Sequence, residues 1–143
     1  MKPQQRLPRA GFTLAELMVV IVIIGLLATL VVPNVVSKLA RANTAKAEAD
    51  ITAIARAVED YVIQNNGRYP DSLEALVQED DRGESYLKQT TVPKDPWGNE
   101  YGYEPPPSGS RKFRVYSLGK DGAPGGEKDD ADLDNITIQE GGR

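Results

Sequence analysis

Two places in this sequence offer chemistry through side-chain type and spacing: a run of carboxylates near the C-terminus, and a single glutamate at the edge of an apolar stretch. Between Asp121 and Asp134, the carboxylates of Asp121, Glu127, Asp129, Asp130, Asp132 and Asp134 are accompanied by one cation, Lys128, in a glycine-rich loop. Charges of one sign packed this closely repel, and a hard cation relieves the repulsion. Ca2+ takes about six to eight oxygens from carboxylates and backbone carbonyls, and glycines permit the turns that bring carbonyls together. The spacing is not that of an EF-hand, and a solvated acidic tail accounts for the same composition, so residue chemistry leaves both readings open. Glu16 lies just before Leu17–Val32, which contains no charged residue. An unpaired carboxylate among lipid tails or packed apolar helices costs on the order of 3 kcal/mol, so Glu16 is expected to find a partner. His and Cys are both absent from the 143 residues. Most triad, general-base and transition-metal chemistry thereby loses its usual groups, and a disulfide scaffold is excluded. The densest group of acids lies in the loop, with no apolar wall to separate their proton affinities, so no enzyme is expected. The formal net charge of −4 makes nucleic acid an unsuitable partner.

These groups must be positioned by three segments. Residues 1–11 are polar and basic, carrying Lys2, Arg6, Arg9 and two prolines. Residues 12–36 are apolar, and as a helix at about 1.5 Å per residue they reach about 37 Å, enough for a hydrocarbon core of about 30 Å. Residues 37–143 form one head. Its first part repeats Ile51, Ile54, Ala55, Val58 and Val62 at helical spacing, one apolar face made to lie on a core. The pattern predicts one continuous helix from Phe12 to Asn65, stopped at Asn65-Asn66-Gly67 and bent or loosened at Pro33. Asp71 and Glu74 predict a capping-box start for a short helix through Gln78, followed by a polar loop over Glu79–Ser85. Pro93–Asn99 is dense in turn residues. Strands are predicted over Tyr101–Glu104 and Lys112–Leu118, the second alternating Phe113 and Val115 with Arg114 and Tyr116. The fold class is α+β: a long helix laid on a small antiparallel sheet.

Arg9-Ala10-Gly11-Phe12-Thr13-Leu14-Ala15-Glu16 resembles the recognition site of the prepilin peptidase, in which a basic leader ends in Gly, Phe follows, and Glu stands fifth in the mature chain. The type IV pilin-like fold is what this resemblance implies. It also implies a cut after Gly11 on the cytoplasmic side of the apolar segment, N-methylation of Phe12, and retention of residues 12–36 as anchor and filament core. An ordinary signal peptide cut near Ala40-Arg41-Ala42 and an uncleaved anchor are the competing readings, and neither requires Gly-Phe-Thr-Leu-x-Glu. The cut would create a cationic amine on Phe12, one helical turn from Glu16. In a polymer, Glu16 of one subunit would neutralise that amine on a neighbour and set the axial stagger. A carboxylate that simply favours a helix N-terminus is the plainer alternative.

The head narrows the resemblance. Gly67–Leu76, Tyr86-Leu87-Lys88, Val92–Tyr101 with its Pro-Lys-Asp-Pro-Trp-Gly-Asn core, and Tyr116–Gly122 are similar, in order, to successive blocks of the major pseudopilins of type II secretion systems. That resemblance implies a homopolymeric periplasmic pseudopilus, built with minor pseudopilins on an inner-membrane assembly platform, that helps export folded proteins through an outer-membrane secretin. It also implies a calcium site in the acidic loop, carried over here to Asp121, Asp129, Asp130 and Asp132 with the carbonyls of Leu118 and Lys120. The chain departs from the family pattern at Asn135-Ile136-Thr137-Ile138, which replaces the usual Asn-Trp ending, and at Lys120, where the residue is often small. A type IV pilin for adhesion or motility, which often has a Cys-closed loop, and a membrane-tethered calcium-binding or enzymatic head are the rival functions.

Overall fold

A computed structural model of the chain describes residues 11–79 and 83–141; the basic leader up to Ala10 and part of the loop expected over Glu79–Ser85 lie outside the described residues. The chain divides into two compact units, with the boundary in sequence between Leu39 and Ala40.

One helix, α1 (Leu14–Gln64), runs through both units. In the first unit its large apolar side chains are exposed among the described residues, among them Leu17, Ile21, Ile24, Leu27 and Val31. Among the described residues no single helix is long and apolar enough to cross a membrane. Leu14–Thr29 and Asn34–Gln64 pass that test only together, by length and composition, bent at residues 30–33. The bend expected from Pro33 is therefore present, although the backbone stays helical through it.

In the second unit the same helix has a buried face. Ala47, Ile51, Ile54, Ala55 and Val58 recur at helical spacing and are buried to within 3% of complete. The helix ends where Asn66 and Gly67 take left-handed conformations (φ 55° and 82°), letting the Gly67 N–H reach back to the Val62 carbonyl at 2.9 Å. The helix expected from Asp71 to Gln78 is instead a single 3-10 turn, Leu73–Leu76, preceded by Ser72 without a side-chain cap bond. Two buried leucines three residues apart already share a face in a 3-10 turn. The Leu76 carbonyl then accepts from the Leu87 N–H at 2.8 Å rather than continuing a helix.

The sheet has three antiparallel strands in the order β1 (Gly102–Glu104), β2 (Arg114–Ser117), β3 (Leu133–Asp134). Gly102 faces Tyr116 and Glu104 faces Arg114 across β1 and β2, while Tyr116 faces Asp134 across β2 and β3. Val115 and Ser117 point into the head and Arg114 and Tyr116 outward, the alternation expected. Both expected strands are shorter than their sequence pattern. β1 starts one residue later than expected, at Gly102, and ends as expected at Glu104, before Pro105-Pro106-Pro107, which lack the N–H groups a ladder needs. β2 starts only after the Lys112 N–H is taken by the Ser110 hydroxyl. β3 and the closing helix α2 (Asn135–Gly141) were not expected. The α1 face packs with Leu73, Leu76, Leu87, Tyr101, Phe113 and Val115 into one core, against which Ile138 of α2 is laid.

Candidate functional site

At the N-terminal site, Gly11, Phe12 and Thr13 precede α1, and Phe12 is 80% exposed. The Glu16 carboxylate turns back on this entry. Its Oε2 accepts from the Thr13 N–H at 2.8 Å and the Thr13 hydroxyl at 2.9 Å, while the Thr13 Oγ accepts from the Glu16 N–H at 3.2 Å. This is a reciprocal capping box, and it satisfies helix-start donors that would otherwise lack partners. In the uncut chain the Phe12 nitrogen is an amide, so Glu16 takes neutral hydrogen bonds where a cut chain would also offer a charge. The role of Thr13 was missed, although Thr-x-x-Glu before an apolar run is its sequence signal.

The acidic loop is shaped by glycines. Gly119, Gly122, Gly125 and Gly126 all have positive φ. The two ends of the loop abut at Gly119: a Cβ there would lie 2.9 Å from the carbonyl oxygens of Asp129 and Asp130, and the Lys120 N–H donates to the Asp129 carbonyl at 2.9 Å. A Cβ on Gly126 would come within 2.3 Å of the Asp130 carbonyl oxygen. Asp129 and Asp130 sit half-buried on a 3-10 turn, Lys128–Asp130. Asp121 is exposed, and its Oδ1 accepts from the Ala123 N–H at 3.1 Å. Asp132 Oδ2 accepts from the Gly125 N–H at 3.1 Å, whereas its Oδ1 is buried with no hydrogen-bond partner among the described residues.

This arrangement tests the calcium expectation in two ways. The donors are all oxygens, and a buried carboxylate oxygen left without a partner is an uncompensated cost that a hard cation removes. Yet no group of three or more carboxylates among the described residues stands close enough to hold a metal ion. The residues therefore fit a hard cation by donor type and by the free oxygen of Asp132, with backbone carbonyls needed beside the carboxylates.

Behind the loop lies a network that the sequence reading did not single out. Asp95, 4% exposed, accepts from the Trp97 and Asn99 N–H groups at 3.1 and 2.8 Å through Oδ1, and from the buried Ser117 hydroxyl at 2.7 Å through Oδ2. Below β2, Asn135 Oδ1 accepts from the Val115 N–H at 2.8 Å, and its Nδ2 donates to the Phe113 carbonyl at 3.3 Å.

Comparison with known proteins decides the family. The sequence profile described as type II secretion system (T2SS), protein G matches residues 34–136. The chain belongs to the type II secretion protein G family. A second profile, the prokaryotic N-terminal methylation motif, matches residues 6–32 and so spans the Gly11–Phe12 junction. The type II secretion system core protein G of Pseudomonas aeruginosa is 44% identical over 142 residues, covering 92% of this chain and 97% of the relative. That of Vibrio cholerae is 42% identical over 142 residues, covering 92% and 94%. The crystal structure of the major pseudopilin from the type 2 secretion system of enterohaemorrhagic Escherichia coli superposes with a TM-score of 0.55 at 30% identity, covering 75% of this chain and 97% of that one. The helix-plus-sheet architecture is thus that of a pseudopilin, and this protein G family member is a pseudopilus subunit.

Proposed function

We propose that the chain is cut after Gly11 by the prepilin peptidase, methylated on Phe12, held in the inner membrane by residues 12–36 with its head in the periplasm, and then polymerised into a pseudopilus. Minor pseudopilins and the inner-membrane assembly platform are its partners in that step, and the filament serves export of folded proteins through the secretin. The observation that carries this reading is the uncovered apolar face of α1 before Leu39 in a chain that matches protein G relatives along nearly its full length. Such a surface is unstable in water and is covered either by lipid or by the same segment of other copies. Its function is assembly, with no catalytic group assigned.

Glu16 acts in assembly by pairing with the Phe12 amine of a neighbouring subunit. Its capping bonds are those of the plainer helix-start role; they are made to Thr13, the residue next to Phe12, and use one carboxylate oxygen, Oε2. The acidic loop binds Ca2+ through Asp132 and Asp121 with Asp129 and Asp130 and the carbonyls of Leu118 and Lys120. The partnerless Asp132 oxygen supports it. When bound, the ion would supply charge neutralisation within the loop, and the chain's own glycines keep side chains out of its carbonyl-lined turn.

Sequencing the mature N-terminus and imaging overexpressed protein test the reading together. Phe12 at the N-terminus and filaments from the wild type are expected, with cleavage intact but filament yield strongly reduced in Glu16→Ala. A mature chain beginning elsewhere, or normal filaments from Glu16→Ala, would overturn the respective part.

A further inference from the structure

The turn Asp95–Asn99 and the acidic loop are separated in sequence by about twenty residues, yet they are joined by a hydrogen-bond path whose members all converge on Gly119. The Ser117 hydroxyl, which donates to Asp95, also accepts from the Gly119 N–H at 3.2 Å. The Asn99 side chain, whose backbone N–H is held by Asp95, donates to the Gly119 carbonyl at 2.8 Å. Both peptide groups of Gly119 are therefore fixed from behind, in a residue at φ +70° that no Cβ can replace because the Asp129 and Asp130 carbonyls abut it. A peptide unit is planar and trans, so fixing the Gly119 N–H also fixes the direction of the Leu118 carbonyl on the opposite side of the same plane. Fixing the Gly119 carbonyl likewise orients the Lys120 N–H, which holds the Asp129 carbonyl at 2.9 Å.

We propose that Asp95 is a positioning residue for cation binding by the acidic loop: through Ser117 and Asn99 it sets the two peptide planes of Gly119, and with them the Leu118 carbonyl and the approach of the segment carrying Asp129 and Asp130. This rests on the Ca2+ reading above. The plainer role for a buried carboxylate that accepts three hydrogen bonds is to staple its own turn, and that role ends at Asn99. The continuation through Ser117 Oγ and Asn99 Nδ2 onto a single residue of the loop gives Asp95 a second consequence. Ligand-orienting partners of this kind typically contribute 10- to 100-fold to metal affinity.

The test uses the full mature chain in detergent, stripped with chelator and titrated calorimetrically with Ca2+, and compares wild type with Asp95→Asn, Ser117→Ala and Asn99→Ala. The two neutral replacements leave the charge of Asp95 in place, and Glu100→Gln serves as a control that removes a nearby exposed charge outside the path. Each path variant is expected to weaken Ca2+ binding by about 10-fold or more, with the Asp95→Asn/Ser117→Ala double variant no weaker than Asp95→Asn alone and Glu100→Gln unchanged. Melting temperature without Ca2+ is read in parallel, since a purely structural Asp95 would lower it and leave affinity untouched. Wild-type affinity in Ser117→Ala and Asn99→Ala overturns the proposal, whether or not Asp95→Asn folds. Failure of the wild type itself to bind Ca2+ removes the calcium reading, and this inference with it.

Discussion

Tyr103 places its ring 6.5 Å from that of Phe113, and its hydroxyl is buried without a hydrogen-bond partner among the described residues. Burial, with Tyr69 and Asp71 nearby, pushes that hydroxyl up to about 12. Tyr103→Phe deletes an unsatisfied donor and keeps the ring, so it is expected to stabilise the head by about 1 kcal/mol in urea unfolding. The raised value also means that the unfolded chain releases this proton first. Stability is thus fully present below the ordinary tyrosine range and declines as pH rises toward 12, and Tyr103→Phe should lessen that decline. Asp134 shows the opposite sign. Burial disfavours its charge, but hydrogen bonds from the Thr137 side chain and backbone and from Arg114, together with the guanidinium charge, outweigh it and hold the carboxyl below the usual range. Its contribution is present above the unfolded carboxylate value, about 4, and is lost as pH falls through the lowered folded one. Melting temperatures of Asp134→Asn should therefore depend less on pH below about 4 than those of the wild type.

Elements in this head depend on side chains standing in for backbone. Asn135 continues the ladder of β2 by pairing with the Val115 N–H and Phe113 carbonyl where β3 has already ended. Asn135→Ala strands both groups in the core, at about 1–3 kcal/mol for each, and is expected to lower the urea midpoint clearly while a surface change such as Gln139→Ala leaves it in place. This substitution of side chain for strand also explains what was legible in the sequence. The long helix, its stop at Asn66-Gly67, the bend at Pro33 and the alternation through Phe113 and Val115 all follow from periodicity and from residues with one strong backbone preference. β3 spans two residues and α2 seven, too short for any period to stand out, and their signals were single side chains: Asp134 capping the Thr137 N–H and Asn135 acting as a strand partner. The acidic loop was legible as a cluster, but the inward turn of one Asp132 oxygen depends on Gly125 and Gly126, whose conformations composition does not encode. Thr13 shows its role only in the folded helix start, where its N–H and hydroxyl meet Glu16.

For the whole molecule, one helix serves two surroundings, exposed and apolar before Leu39 and one-faced after it. With no cysteine available, the head is held by its core and its hydrogen bonds, so a ligand bound only by the folded form should be conspicuous in its stability. Ca2+ is expected to raise the melting temperature of the mature protein in proportion to the logarithm of its concentration once binding saturates, and Asp132→Ala is expected to abolish the rise. A melting curve indifferent to Ca2+ would count against the loop as a metal site. The shortness of β1 has a consequence at this scale as well. It lies at the open edge of the sheet, is only three residues long, and runs directly into three prolines. A subunit that polymerises is exposed to a second, unwanted polymer made by strand joining strand. A three-residue edge strand that ends at three prolines offers a second strand little to pair with and so disfavours that route.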